Sequence, residues 1–278
     1  MPSPDGPEIT ADDLRAVAHR ALAVSHPPVM RYLPAGRVEV RDGVVMSAFV
    51  DLPGPIFNKA TAFGPTPPEK VFAIAEAFFG GVPYGVMLDA ETARPVEDAV
   101  RARGWILADE EPGMTLRPIT APPPAPAELT ICRVADAAGL RDFWTLGGPI
   151  LPEQAAAADP ATNLMRYFNP SLACALDPDI ALFVGYVDGR PVTSAALYRV
   201  EEIADIGAVA TLPAYRRRGY GAAMTWAAVA EGVARGCSVA VLRATEMGYP
   251  VYRRMGFTTV CTIRIYVPPA APGDPETR

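Results

Sequence analysis

Six consecutive residues, Arg216-Arg217-Arg218-Gly219-Tyr220-Gly221, place three cations directly ahead of two glycines. The stretch before them, Ile206–Ala210, is apolar and strand-like, and an Ala-rich helical run opens at Ala222. A strand, a Gly-rich turn and a helix start together suit a phosphate. The first amides of a helix lack internal partners and point beyond its end, where the helix dipole adds partial positive charge. Gly219 and Gly221 let backbone approach an anion without a Cβ in the way. Guanidinium groups from Arg216, Arg217 and Arg218 grip phosphate oxygens bidentately. Three arginines also suit a plain solvated turn; the strand before and the helix after favour the phosphate. The Walker spacing and the dinucleotide Gly-x-Gly-x-x-Gly are both absent.

The elements around this turn follow from periodicity and punctuation. Glu128–Val134 reads as a strand, and Asp136 caps a helix through Leu146. Gly147-Gly148-Pro149 breaks it, and short helices fill Pro152–Asn169. Ile180–Asp188, Val192–Val200 and Ile203–Ala210 read as strands, with Asp188-Gly189 as a hairpin turn. After the arginines, Ala222, Trp226, Val229, Ala230 and Val233 keep a 3.6 period toward the sheet, and Gly236 ends the helix. Ser238–Leu242 is a buried strand, Tyr249–Met255 a short helix with Pro250 in its first turn, and Thr258–Val267 a final strand or hairpin.

Arg216-Arg217-Arg218-Gly219-Tyr220-Gly221 resembles the Arg/Gln-x-x-Gly-x-Gly/Ala signature of the GNAT superfamily of acyl-CoA N-acyltransferases. The resemblance runs from about Ile180 to Val267. It takes in GYVDGRPVTSAAL, similar to the family's second and third strands, and AVLRATEMGYPVYRRMGF, similar to its fifth strand, following helix and closing Gly-Phe. Tyr252 and Gly256-Phe257 stand at the family's spacing.

The resemblance implies direct acyl transfer from acetyl-CoA to an acceptor amine in a ternary complex. Amides from Arg217 to Ala222, with Arg216 and Arg218, would hold the pyrophosphate. Val209, Ala210 and Thr211 would pair with the pantetheine as with an added strand. The Val209 amide is the expected donor to the thioester carbonyl. Tyr252 occupies the position of the acid that protonates the departing thiolate, and a phenol of pKa about 10 serves a thiol of about 8.5 at modest cost. It also suits a core tyrosine beside Phe257. An alkylamine of pKa about 10.4 is almost wholly protonated at pH 7, so a base helps. Asp205 lies near the place where some members carry a carboxylate, with Glu201, Glu202 and Glu246 as rivals. Thr245 stands where many members carry a cofactor-contacting Asn, a departure from the pattern. Glu153, Gln154, Asn163, Arg166 and Tyr167 would line the acceptor cleft, and each also suits ordinary surface.

The first 117 residues repeat this order. Thr10 and Asp13 make a capping-box-like start for a helix to about Val24. Strands are expected at Tyr32-Leu33, Val38–Arg41, Val44–Val50, Phe57–Phe63, Gly85–Asp89 and Gly113–Arg117, with helices at Pro67–Phe79 and Thr92–Arg103. Ala99–Trp105 parallels Pro250–Phe257 in its ending. We therefore expect a degenerate GNAT-like unit at 1–117, a Pro-rich linker at 118–127 that leaves the angle between units open, and the acyl-CoA unit at 128–278. An unrelated α+β domain is the alternative for the first unit. Phe63-Gly64-Pro65-Thr66-Pro67-Pro68 replaces the arginine turn, and proline brings no amide hydrogen, so no cofactor is expected there. Asn58-Lys59 falls amid apolar residues and fits a polar pair at a domain seam as well as a functional role. His26 carries no assignment.

The fold class expected is α/β (α+β), two units each with a mixed, mostly antiparallel sheet flanked by helices. The net charge of −6 argues against a general nucleic-acid binder. The four cysteines, Cys132, Cys174, Cys237 and Cys261, form no C-x-x-C pair, so no metal is expected and a reducing cytosol suits them. No membrane-spanning run or leader is expected. The reading is an N-acetyltransferase using acetyl-CoA on a primary amine, with a homodimer among the possible assemblies. The alternative is a CoA-binding regulatory module without catalysis. A hydrolase lacks its Gly-x-Ser-x-Gly elbow.

Overall fold

A computed structural model of the 278-residue chain describes residues 10–24, 32, 36–49, 58–147 and 172–269. The first element of the described residues is helix α1 (Ala11–Val24). Its start is a reciprocal cap: the Asp13 amide donates to Thr10 Oγ1 at 3.2 Å and the Thr10 amide to Asp13 Oδ2 at 2.9 Å. Strands β1 (Gly36–Arg41) and β2 (Val44–Phe49) form a hairpin at Asp42-Gly43, both in the left-handed region that a two-residue turn requires. Then follow β3 (Lys59–Ala62), α2 (Pro68–Phe79), β4 (Gly85–Asp89), α3 (Arg94–Ala102) and β5 (Ile106–Leu116). Beyond the Pro-rich stretch come β6 (Thr130–Arg133), α4 (Ala137–Gly147), α5 (Leu172–Leu176), β7 (Ile180–Val187), β8 (Arg190–Val200) and β9 (Ile203–Thr211). A single 3-10 turn at Pro213–Tyr215 leads to α6 (Tyr220–Ala234), β10 (Val239–Arg243), α7 (Tyr249–Arg254) and β11 (Thr258–Val267).

The eleven strands among the described residues make one sheet in the order β1-β2-β3-β4-β11-β5-β10-β9-β8-β7-β6. It is mostly antiparallel; the parallel pairs are β3–β4 and β9–β10. Its centre is an exchange. The strand that closes the first 117 residues, β5, pairs with β10 on one side, and the chain's last strand, β11, pairs with β4. The two exchanged strands pair with each other from Ile106–Val267 to Thr115–Thr258. A continuous ladder therefore joins the two halves. The Pro-rich stretch, which sequence alone leaves as a connector of open angle, does not set their relation.

β5 is longer than the Gly113–Arg117 strand expected, because Ile106–Pro112, with its acidic run, is strand as well. Those charges are answered by the neighbouring strand: Arg264 on β11 donates from Nε to Glu110 Oε2 at 2.6 Å. Two layers of helices cover the sheet. On one face α2 and α3 pack over Val44, Met46, Val86, Leu88 and Tyr266, while α6 and α7 pack over Met114, Leu116, Ala204, Ile206, Ala240 and Leu242. On the other face α1 covers Met87, Ile203, Val239, Val241, Ile263 and Ile265, and α4 and α5 cover Ile180, Leu182 and Tyr198. Burial of these apolar surfaces is the main stabilising term. Within the first half, Asn58 is fully buried and donates from Nδ2 to the Pro83 carbonyl at 3.3 Å. Cys174, Cys237 and Cys261 are buried thiols and Cys132 is exposed, all four free.

Candidate active site

Strands β9 and β10 run parallel and pair only at Ile203–Val239, Ala204–Ala240 and Asp205–Val241. Beyond Asp205, β9 continues to Thr211 against β8 alone, so its edge toward β10 is open from Ile206 onward. A bulge sits in that open stretch, where the β8–β9 register shifts between Ser194 and Ala196. Ala208 there holds a φ of 51°, a left-handed conformation that a non-glycine residue adopts at a cost of order 1 kcal/mol. Bulges bend a strand and re-aim its groups. Here the bend carries Val209, Ala210 and Thr211 to the start of α6. Thr193 Oγ1 fastens the far side of the bulge, donating to the Ala210 carbonyl at 2.7 Å.

The arginine turn is exposed. Arg216, Arg217, Arg218 and Gly219 all face solvent, with Arg217 at φ 63° and Gly219 at φ 82°. Such excursions into the left-handed region turn backbone N–H groups outward as an anion nest. α6 starts without a side-chain cap, so its first amides stay available. Arg216 Nε donates to the Thr211 carbonyl at 3.1 Å, which ties the turn to the end of β9. Arg218 lies over the Tyr215 ring at 5.5 Å. Tyr220 turns inward: its side chain is buried and its hydroxyl donates to Glu128 Oε1 at 2.8 Å, leaving only its backbone for a ligand. Gly221 faces the opening. A Cβ there would stand 3.8 Å from Thr211 Oγ1 and 3.9 Å from Val209 Cγ1. Ala222 is half-buried one position on.

Tyr252, on α7, is 8% exposed and stacks edge-on against Phe257 at 5.9 Å. Burial raises its pKa to about 12, a hydrogen bond with Thr225 lowers it, and the Glu111 carboxylate raises it further. The phenol stays protonated through the neutral range. Thr225 in turn donates to the Gly221 carbonyl at 2.9 Å. The phenol is thereby joined through one side chain to the first turn of α6.

The other residues singled out by sequence fall at varied distances from this opening. Asp205 is buried on β9, in the last rung shared with β10; its neighbours Ala204 and Ile206 point to the face that holds Tyr252. Glu201 and Glu202 sit at the opposite end of β9 and face Arg20 at 3.5 and 4.0 Å. At about 3.3 Å per residue, Glu202 stands roughly 23 Å along the strand from Val209. Thr245 uses its hydroxyl locally, accepting from the Gly248 amide at 3.2 Å, and Glu246 is exposed beside it. Glu153, Gln154, Asn163, Arg166, Tyr167 and His26 lie outside the described residues.

A second group was not assembled by sequence reading. Lys59, Asp109, Glu111 and Arg243 come together on the α1 face. Burial lowers the Lys59 pKa to about 8, and nearby Arg243 lowers it too, while Glu111 and Asp109 raise it. Burial raises the Glu111 pKa against the pull of Arg243. The signal available was the two-residue spacing of Asp109 and Glu111, which puts both on one face of a strand.

Residues 150–257 match the family model for the acetyltransferase (GNAT) family. A GCN5-related N-acetyltransferase from Kribbella flavida shares the fold with a TM-score of 0.68 at 21% identity, covering 92% of this chain and 96% of its own. A tandem GNAT protein from the clavulanic acid biosynthesis pathway gives 0.56 at 13% identity, with 95% and 98% covered. A putative GNAT-family acetyltransferase from Novosphingobium aromaticivorans gives 0.53 at 15%, with 91% and 99% covered. No curated protein sequence matches the chain. The family transfers acyl groups and uses acyl-CoA donors generally. Among the described residues no group of three or more His, Cys, Asp or Glu is placed to hold a metal, and no helix is long and apolar enough to cross a membrane.

Proposed function

We propose that the chain is an N-acetyltransferase that moves an acetyl group from acetyl-CoA to a primary amine by direct attack. The observation that carries this reading is the opening between β9 and β10, which begins at Asp205–Val241 and ends against the exposed, uncapped start of α6. An extended pantetheine fits an unpaired strand edge, and a diphosphate fits the amides of Arg217–Ala222 with Arg216 and Arg218 beside them. Within this reading the chain divides at 1–117 and 128–278 around the Pro-rich linker, and the first unit holds no acyl-CoA. Four free thiols suit a cytosolic setting.

The chemistry then follows from the parts. The amine attacks the thioester carbon and negative charge grows on the carbonyl oxygen, where the Val209 amide donates. The tetrahedral species collapses, the C–S bond breaks, and the thiolate takes the Tyr252 proton. Burial raises the phenol to about 12, so the proton is held through the neutral range and its transfer to a thiolate of ordinary pKa about 8.5 costs more than it would from a free phenol. Asp205 is the carboxylate of β9 nearest Val209 and serves as a base for the amine through solvent.

The test is titration calorimetry with acetyl-CoA, followed by free-thiol release with a panel of primary amines. Binding with thiol release is expected. Binding without release from any amine would favour a CoA-binding module, and no binding would remove the reading altogether.

A further inference from the structure

Four charged side chains on the α1 face serve no step above. β5 runs antiparallel to β10, β11 to β5 and β4 to β11, and β3 runs parallel to β4. The starts of β3 and β5 and the end of β10 therefore lie at one end of the sheet, the end at which β9 and β10 part. Lys59 opens β3, Asp109 and Glu111 lie in the first half of β5, and Arg243 closes β10. Strand alternation sets their face. Lys59 alternates with Ala60, which packs under α2 and α3; Arg243 follows Val241, which packs under α1; Glu111 precedes Gly113, whose missing side chain would meet Leu22 of α1.

The side chains converge. Arg243 Nη1 stands 3.5 Å from Glu111 Oε2 and reaches Met87 Sδ at 3.8 Å, across β5 and β11. Arg243–Glu111 is the one ion pair within the group among the described residues, leaving the Lys59 ammonium and the Asp109 carboxylate without one. Lys59 is half-buried, and the field of Glu111 and Asp109 offsets only part of what desolvation and Arg243 cost its charge. Glu111 is also close enough to Tyr252 to influence its proton. Two cations and two carboxylates, contributed by both halves of the chain, thus gather on the α1 face at the end where β9 and β10 part, with the phenol across the sheet from them.

We propose that Lys59, Asp109, Glu111 and Arg243 form the acceptor subsite, and that the acceptor is a small zwitterion, a primary amine that also carries a carboxylate. The proposal rests on the acetyl-transfer reading. Lys59 and Arg243 hold the carboxylate of the acceptor. Glu111, backed by Asp109, receives the ammonium and takes its proton in place of Asp205, which leaves the free amine to attack the thioester.

The experiment compares the full chain with Lys59→Met, Lys59→Arg and Glu111→Gln. Thiol release from acetyl-CoA is followed with the proteinogenic α-amino acids and, beside each, the amine lacking its carboxylate. The expected result is a preference of about tenfold or more in kcat/KM for a carboxylate-bearing member over its partner. Lys59→Met should erase that preference and Lys59→Arg keep most of it. Glu111→Gln should lower kcat/KM for both and remove the low-pH limb of the profile. Equal or better rates with the decarboxylated partners, or a preference that survives Lys59→Met, overturns the proposal. Calorimetry separates it from the donor reading. If wild-type protein fails to bind acetyl-CoA yet binds an amino acid that Lys59→Met no longer binds, the donor reading fails and the pocket stands. If acetyl-CoA binds and no amino acid does, the pocket fails and the donor reading stands.

Discussion

The chain passes from a parallel strand into a helix and back to its neighbour strand twice, once through β3, α2 and β4 and once through β9, α6 and β10. In the first unit the pairing runs the full length of β3, from Lys59–Gly85 to Ala62–Leu88. The turn that follows ends in Pro67 and Pro68, and the Pro67 carbonyl is occupied by the amides of Lys70 and Val71. In the second unit the pairing stops at Asp205, six residues before β9 ends, and the turn exposes Arg216–Gly219 ahead of α6, which like α2 starts without a side-chain cap. One frame is closed along its seam and poor in amides; the other is open along its seam and rich in them. Under the proposed function, a donor site on this fold needs both the parted strands and the amide-bearing turn, and the sheet can be kept while both are removed.

Breaking the open unit should have the largest effect. Gly221→Leu introduces a side chain between Val209 and Thr211 without backbone strain, since Gly221 has no positive φ. Acetyl-CoA affinity by calorimetry should fall by about a hundredfold or more, with the melting temperature little changed. Tyr252→Phe comes next: kcat should fall by about a hundredfold while acetyl-CoA affinity is retained, because in the proposed mechanism the phenol acts on the leaving group and not on the diphosphate.

The third prediction concerns stability. Lys59 has a folded pKa of about 8 against an ordinary 10.5. The charged form is therefore disfavoured by folding at every pH below about 8, and the penalty lifts as pH rises toward 10.5. Lys59→Met should raise unfolding free energy by about 2 kcal/mol at pH 7, and the gain should shrink above pH 8 and vanish beyond 10.5. A constant gain across that range in chemical denaturation would falsify the assignment of cost to the charge. The smallest effect sharpens the comparison from the closed side. Replacing Pro67 and Pro68 by glycine restores amides to the first turn but leaves β3 paired with β4. No second acetyl-CoA site should appear, and a stoichiometry of two in calorimetry would show that amides alone suffice.

How much of this was legible beforehand depended on whether a feature was local. The arginine turn, the capping box at Thr10, the Asp42-Gly43 and Asp188-Gly189 hairpins and the Gly80 cap are written in adjacent residues, and the structure has them where the sequence puts them. The exchange of β5 and β11 is not local: each strand reads as the end of its own half, and nothing in its residues names its neighbour. The strand read from sequence starts only at Gly113 because Arg264, which answers the charged first half of β5, lies more than a hundred and fifty positions away. The same holds for the group around Lys59, whose members come from β3, β5 and β10. Sequence marked Lys59 as polar amid apolar neighbours; only the sheet order brings Glu111 and Arg243 to it.

The exchanged strands have a further consequence for handling the protein. A protease cut within residues 118–127 divides the polypeptide while leaving β5 lodged between β10 and β11, and β11 lodged between β4 and β5. The nicked chain should migrate as one particle in native gels and as two bands after denaturation. Expressed singly, either fragment would be short of a central strand and would offer a raw edge to any other copy, so the two are to be produced together or not at all.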